Sequence, residues 1–387
     1  MWGPDFFSND YLGLSSDPRL RELFLERLSQ EPFVMGSSGS RLLSGNTPAH
    51  VEFESRMMSF FNVPAALLCN SGYDANTAFF GAIPQQGDVI VYDELVHASI
   101  MDGIASSRAR GALYPFEHNS VDSLQRILLR VVQDHPVVQE GRQTVFIAVE
   151  SLYSMDGDFS PLPDIVTIVN KTIPKISRHI VVDEAHTSGL CGVQGRGYVS
   201  LLGLESHIQT VIHTFGKARA CAGAVILTSP TVRRYLINYG RPFIYSTSLP
   251  YFAVMALNAT FEFRSSSLAQ RLQENIRYFS TQFFEKTRSL QPGIVSIPKQ
   301  PSQRGIPSDL FSPIFPILTP ASGLLAEHLR SLGYSAQEIP YPVVPKGQDR
   351  IRVTIHSGNT RGEMDELIER IARWARDYGS QQLRANL

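Results

Sequence analysis

Between Ala65 and Thr228 the chain repeats one pattern: a short apolar run rich in β-branched residues, then a stretch with helical spacing. The runs are Ala65 to Cys69, Asp88 to Tyr92, Thr144 to Val149, His179 to Val182, Gln209 to His213 and Gly223 to Thr228. Runs this short and this continuously apolar fit strands buried on both faces, and helices between them imply a mainly parallel sheet covered on both sides. The pattern predicts an α/β fold with that sheet in a large domain. Ligands of such sheets bind outside the carboxyl ends of the strands, so the residues that follow each run carry the chemistry.

The flanking segments read differently. Asp17-Pro18, an N-cap with proline at N1, opens an amphipathic helix through about Leu28. Gly36-Ser-Ser-Gly-Ser-Arg41 reads as a loop, and Thr47-Pro48 restarts a helix with Phe53, Met57, Met58 and Phe61 at helical spacing. Beyond Pro250 come helical patterns to Leu290, a Pro- and Ser-rich stretch from Pro292 to Pro320, a strand at Arg350 to Ile355, and a helix opened by the capping box Thr360-x-x-Glu363. Its buried stripe is expected to be Met364, Leu367, Ile368, Ile371 and Ala375. We divide the 387 residues into an N-terminal segment (1–33) packing with the small domain, a large domain (34–250) and a smaller C-terminal α+β domain (251–387).

Composition excludes several classes. A formal net charge of -1 without long runs of one sign gives no electrostatic case for nucleic acid or an anionic membrane. Cys69, Cys191 and Cys221 are isolated, which suggests neither a disulfide framework nor a zinc site. No apolar run reaches the roughly 18 residues of a membrane span, and the first residues lack the pattern of a signal peptide.

Two runs end in reactive side chains. Val211-Ile-His-Thr-Phe-Gly-Lys217 delivers one lysine, and His179-Ile-Val-Val-Asp-Glu-Ala-His186 delivers an acid and a histidine. A lysine able to form a Schiff base and an aspartate able to bind a pyridinium nitrogen are what pyridoxal phosphate asks of its protein. Asp183 would keep the ring nitrogen protonated, Lys217 would carry the imine, and His186 would reach the phenolic oxygen or a substrate carboxylate. His97, after another run, could stack on the ring. Asn70-Ser71-Gly72-Tyr73 ends a strand and starts a helix, which suits a phosphate, and Thr214 can add a hydroxyl.

These motifs resemble the α-oxoamine synthases. Asn9-Asp-Tyr-Leu-Gly-Leu-Ser15, Gly39-Ser-Arg-Leu-Leu-Ser-Gly45, Ser71-Gly-Tyr73, His97-Ala-Ser99, Ser154-Met-Asp-Gly-Asp158, Asp183-Glu-Ala-His186, Thr214-Phe-Gly-Lys217 and Ile351-Arg-Val-Thr354 stand in that family's order. The resemblance covers nearly the whole chain. It implies a fold-type-I, aspartate-aminotransferase-like fold with a seven-stranded sheet, and pyridoxal phosphate as cofactor. Carried over by position, it makes Lys217 the Schiff-base lysine, Asp183 the pyridinium partner and His97 the stacking ring. His186 and Ser154 would bond the cofactor oxygen, and Ser71, Gly72, Tyr73 and Thr214 the phosphate. Thr247 would reach the phosphate of a neighbouring subunit, implying a homodimer with shared sites; Asn9, Arg352 and Glu150 would contact the substrate. For Arg350 a structural role is expected, and Arg41 is read as either an anchor or a ligand.

The implied reaction joins an amino acid to an acyl-CoA with loss of CoA and carbon dioxide, giving an α-amino ketone. The resemblance favours L-alanine and pimeloyl-CoA, as in the branch that makes 8-amino-7-oxononanoate for biotin. Glycine with acetyl-CoA, or a longer acyl or polyketide thioester, is the alternative; a simple aminotransferase or an inactive partner subunit ranks below. The sequence departs from the family at Ala218-Arg-Ala-Cys-Ala222, where a Gly/Phe-rich turn is common, and Tyr341-Pro-Val-Val-Pro345 looks closer to the glycine-using branch. A cytoplasmic or peroxisomal location is expected, because Ala385-Asn386-Leu387 is a loose relative of the peroxisomal S-K-L address. Deleting those three residues from a tagged protein is expected to shift it from peroxisomes to cytosol; an unchanged image would remove the address.

Overall fold

The structure, a computed structural model, describes residues 3–32, 35–298 and 310–385. The boundary expected at 33/34, part of the Pro- and Ser-rich stretch, and Asn386-Leu387 lie outside the described residues.

Seven strands form the main sheet: β1 Ala65–Cys69, β2 Val89–Asp93, β3 Leu113–Phe116, β4 Val145–Glu150, β5 Arg178–Asp183, β6 Thr210–Thr214 and β7 Ala224–Thr228. Their order is β1-β7-β6-β5-β4-β2-β3. Six of these are the expected runs, each within a residue of its predicted ends. β3 was not predicted; Leu113-Tyr-Pro-Phe116 is short and only partly buried, and its proline is tolerated because the strand lies at the sheet edge, paired with β2 alone. The expectation of helices between all strands fails once. β6 and β7 are antiparallel neighbours joined by a turn, so Lys217 sits in a hairpin and not in a crossover.

The register matters for the site. Glu150 of β4 pairs with Asp183 of β5, and Asp183 with Ile212 of β6, so the carboxyl ends of three parallel strands finish side by side. Helices cover both faces. On one side Gly72–Ala82 and Ala98–Ala105 bring Phe79, Phe80, Ile100 and Ile104 onto Ile90, Phe146 and Ile226. On the other, Val121–Asp134 and Leu162–Thr172 bring Leu128 and Ile165 onto Val91, Ile147 and Ile180.

A second, antiparallel sheet runs β8-β10-β9, from Ile314–Leu318, Arg350–Thr354 and Glu338–Ile339. It packs with the helices Ser266–Thr287 and Arg361–Ala385. The Thr360–Glu363 capping box closes in both directions, at 2.7 and 3.3 Å, and the predicted stripe from Met364 to Ala375 is buried. The N-terminal segment lies along this sheet, with Thr354 N donating to Phe6 O at 2.7 Å and Ser357 N to Tyr11 O at 2.8 Å.

A buried charge cluster fixes the β1 edge. Glu54, on the helix Pro48–Phe61, accepts from Arg41 Nη2 and Arg233 Nη2, both at 2.6 Å, and from Leu68 N of β1 at 2.8 Å. Arg41 is therefore an anchor for the Gly/Ser loop. Arg350 is structural too, fully buried and held by Asp156 and the Met155 carbonyl. Glu54→Ala would leave a buried guanidinium without its anion, and we expect a loss of about 3 kcal/mol in urea denaturation; a wild-type midpoint would show the cluster to be neutral.

Candidate active site

The carboxyl ends of β4, β5 and β6 open into a cavity of about 160 Å³. Glu150, Asp183 and Lys217 line it together with His97, His186, Gly72, Tyr73 and Thr214. Larger cavities exist, one of about 440 Å³ at the amino ends of the strands beside His179 and His213, but its walls hold no acid–lysine pair.

Asp183 ends β5 and is buried. Its Oδ1 accepts from Ala185 N at 2.8 Å and its Oδ2 from Asn76 Nδ2 at 2.7 Å, so the carboxylate is aimed by the turn that follows it and by the helix Gly72–Ala82. Asn76 also donates to Ser99 Oγ at 3.0 Å, tying Asp183 to the helix that His97 caps. Sequence reading missed Asn76. The available signal was its place one helical turn after Gly72, on the same face.

Lys217 reaches His186 Nε2 with its Nζ at 2.8 Å. Burial pulls the amine down to about 8; Asp183 and Glu150 oppose the shift, and Arg352 adds to it. Burial likewise holds His186 well below the usual imidazole range, with Lys217 and Arg352 adding, so the ring is neutral near pH 7. His97 is lowered chiefly by the same loss of water, against the pull of Asp183. Its Nδ1 lies 2.7 Å from Ser99 Oγ, and its backbone N–H donates to Glu150 Oε1 at 2.5 Å. Glu150 is raised well above a normal carboxyl by burial and by Asp183 beside it. It lines the cavity and also braces the His97 loop.

Beside Thr214, Ser71 caps the helix Gly72–Ala82 by accepting from Asp74 N at 3.0 Å. Gly72 is required there, since a Cβ would meet Thr214 Cβ and Oγ1 at 3.0 Å. The helix start thus approaches the end of β6 as closely as a backbone can, and its first N–H groups, which have no intrahelical acceptors, face an anion-binding end. A carboxylate beside a lysine, an imidazole that can stack on an electron-poor ring, and this helix terminus together fit pyridoxal phosphate. The Tyr73 hydroxyl is engaged by Asp102, so at the helix start that residue is left with its backbone N–H.

Five predicted residues lie outside the cavity wall: Asn9, Ser71, Ser154, Thr247 and Arg352. Arg352, on β10, donates from Nε to Ser154 O at 2.6 Å and from Nη2 to Asn9 Oδ1 at 2.9 Å and Tyr11 Oη at 3.3 Å. Ser154 is thus held through its carbonyl, and Asn9 orients the guanidinium. Thr247 is exposed, its carbonyl accepting from Asn70 Nδ2 at 2.8 Å. Tyr11, within the Asn9 motif but not singled out in the sequence, is fully buried 2.7 Å from His186 Nδ1.

The unusual turn after Lys217 has a physical explanation. Ala220 takes the left-handed conformation (φ 51°) where glycine would be unstrained. Arg219 anchors the turn, donating to Thr260 O at 3.1 Å and Gln194 O at 3.4 Å with its guanidinium 4.4 Å from the Phe261 ring centre.

Residues 5–371 match the family described as aminotransferase class I and II. An 8-amino-7-oxononanoate synthase of Emericella nidulans is 41% identical over 382 residues, spanning 98% of this chain and 91% of its own. An aminoacyl transferase sphA of Aspergillus fumigatus is 37% identical over 383 residues, spanning 96% and 81%. Among solved structures, 8-amino-7-oxononanoate synthase of Francisella tularensis superposes with a TM-score of 0.73 at 27% identity, covering 95% of this chain and 96% of its own. Serine palmitoyltransferase of Sphingomonas wittichii shares the fold, with a TM-score of 0.81 at 23% identity over 97% and 88%. The chain belongs to the aminotransferase class I and II family and, within it, to the α-oxoamine synthases, pyridoxal-phosphate-dependent acyltransferases of fold type I.

Proposed function

We propose that the protein condenses L-alanine with pimeloyl-CoA, releasing CoA and carbon dioxide and giving 8-amino-7-oxononanoate. The observation that carries this reading is the 41% identity to the Emericella nidulans synthase along nearly the whole of both chains. The 37% identity to the sphA aminoacyl transferase favours a second reading, a longer acyl thioester in the same reaction.

Pyridoxal phosphate, when bound, supplies an electron sink for negative charge at the amino acid's Cα. Asp183 holds a proton at the ring nitrogen, which keeps that sink effective. Ser71, Gly72, Tyr73 and Thr214 hold the phosphate, and His97 supports the ring face. His186 and Ser154 serve the ring oxygen, Ser154 by a hydroxyl that must turn towards the cavity. Arg352, steadied by Asn9, binds the amino acid carboxylate, a task suited to a planar guanidinium. Lys217, once its amine is free, removes the Cα proton; an amine lowered to about 8 is a base matched to neutral pH. Glu150 is a substrate contact at the cavity floor. Exposed Thr247 serves a second copy's phosphate, which makes the working unit a homodimer, and sedimentation as a monomer at assay concentration would remove that part.

The protein with its cofactor is expected to carry a visible band that Lys217→Ala loses, along with a fall of about 10²–10⁴-fold in CoA release. A mass-spectrometric product assay of alanine, glycine and serine against acetyl-, pimeloyl- and palmitoyl-CoA is expected to peak at alanine with pimeloyl-CoA. A peak at palmitoyl-CoA selects the second reading, and transfer of the amino group without CoA release sinks both.

The pH dependence has a definite sign. Cofactor capture needs the neutral amine, and that fraction grows about tenfold per pH unit below a pKa of about 8. Stopped-flow capture of pyridoxal phosphate by cofactor-free protein is expected to accelerate with pH and level off above about 8. A rise continuing to 10 would mean the amine is not lowered.

A further inference from the structure

Tyr11 stands between the two groups just assigned to carboxylate binding and proton removal. Its hydroxyl is 2.7 Å from His186 Nδ1, 3.3 Å from Arg352 Nη2 and 3.2 Å from Asn9 Oδ1. Across the imidazole, His186 Nε2 is 2.8 Å from Lys217 Nζ. Four side chains from the N-terminal segment, the β5 turn, the β6–β7 hairpin and β10 thus form one hydrogen-bonded line from guanidinium to amine.

The hydrogens along it can be counted. Neutral His186 carries one N–H, and Tyr11, whose ionisation burial pushes up, carries one O–H. An ammonium at Lys217 can only donate, so His186 must accept at Nε2 and carry its hydrogen on Nδ1. The Tyr11 oxygen then accepts from Nδ1–H and from Arg352, and its own hydrogen goes to Asn9 Oδ1; every group is paired. When Lys217 has lost a proton to solvent its amine can accept, and the hydrogen of His186 can sit on Nε2. Tyr11 then turns its O–H away from Asn9 and donates to Nδ1. The two states of the lysine correspond to two settings of one hydroxyl.

We propose that Tyr11 is a positioning residue that couples Arg352 to Lys217, its hydroxyl setting the tautomer of His186 and thereby how firmly Lys217 holds a proton. This rests on the assignment of Arg352 to the carboxylate and Lys217 to the Cα proton. A carboxylate seated on Arg352 draws Nη2 off the Tyr11 oxygen. The lone pair so freed strengthens the acceptor for Nδ1–H and favours the ammonium. In the cofactor-free protein, where Lys217 lies against His186 Nε2, a carboxylate on Arg352 therefore raises the amine's proton affinity.

The groups that face Lys217 are Asp183 of β5, Glu150 of β4, Arg352 of β10, His97 at its helix cap, and His186 on the turn after β5. Tyr11→Phe removes none of these charges and keeps the buried ring, so it isolates the hydroxyl. Competitive acetylation of cofactor-free, full-length protein with acetic anhydride, read by mass spectrometry of the Lys217 peptide against pH, gives the amine's midpoint. The wild type is expected near 8. Tyr11→Phe is expected to lower the midpoint by about half to one pH unit, a roughly three- to tenfold larger ratio of neutral to protonated amine at a given pH, which is the worth of one buried hydrogen bond. Saturating acetate, a carboxylate probe for Arg352, should raise the wild-type midpoint more than that of Tyr11→Phe. In a His186→Asn chain, Tyr11→Phe should change nothing further.

An unchanged midpoint in Tyr11→Phe, or an equal shift with His186→Asn present, overturns the coupling. Should Tyr11→Phe fail to fold by circular dichroism, His186→Asn alone decides: an acetate shift as large as the wild type's overturns it, and a smaller one supports it. A wild type that titrates as expected yet releases no CoA from any thioester supports the coupling while removing the acyl-transfer reading, so the two failures are distinguishable.

Discussion

Everything in the site depends on holding one amine and two carboxylates together away from water. Isolated in a low-dielectric cleft each charge would be costly, and the energetics close only because the groups answer one another. Asp183 accepts two hydrogen bonds, from Ala185 N and Asn76 Nδ2. Glu150, next to it across the β4–β5 register, gives up acidity instead. Lys217 gives up basicity. Of the two neighbouring carboxyls, Asp183 is aimed by its two donors and Glu150 has its acidity lowered by burial. The lysine is left with an amine lowered to about 8.

That arrangement is a product of sheet geometry. Parallel β4, β5 and β6 end together, so the side chains at their carboxyl ends face one opening without any long-range search. The antiparallel β7 is the exception that completes it. Because the chain turns straight back after β6, Lys217 is held in a hairpin whose two ends are bonded, Phe215 N to Gly223 O at 2.9 Å. The departure from the family turn at Ala218 to Ala222 then becomes intelligible. A strained Ala220 replaces the freedom of glycine, and buried Arg219 clamps the turn to the helix Tyr251–Glu262 through the Thr260 carbonyl.

Much of this was legible in the sequence, and the reasons differ by residue. The sheet could be read because its strands are short, continuous and buried on both faces; β3 could not, because Leu113 to Phe116 is a half-exposed edge containing proline. Lys217, Asp183, His97 and Gly72 could be placed because each directly follows or precedes a strand or helix boundary. Glu184, inside the Asp183-Glu-Ala-His186 motif, is a different kind of residue. It accepts from Tyr198 N, Val199 N and Thr187 Oγ1 within 2.7 Å, and Gly197 leaves room for it, so it fastens the loop behind the site and touches no ligand wall. Sequence adjacency alone gives it the same weight as its neighbours.

What no local pattern could reveal are contacts made between distant parts of the chain. Tyr11 and Asn9 meet Arg352 only because the N-terminal segment is pinned to β10 through Phe6 O and to the residues after it through Tyr11 O, and Tyr11 meets His186 only because that edge closes over the end of β5. The Arg352 side of the site is therefore assembled from residues that precede the first helix and from a second sheet. A side chain so placed has no periodicity to betray it, yet complete burial of a tyrosine hydroxyl obliges it to find partners. Following those partners is what turns Tyr11 from a core residue into a link between Arg352 and the catalytic amine.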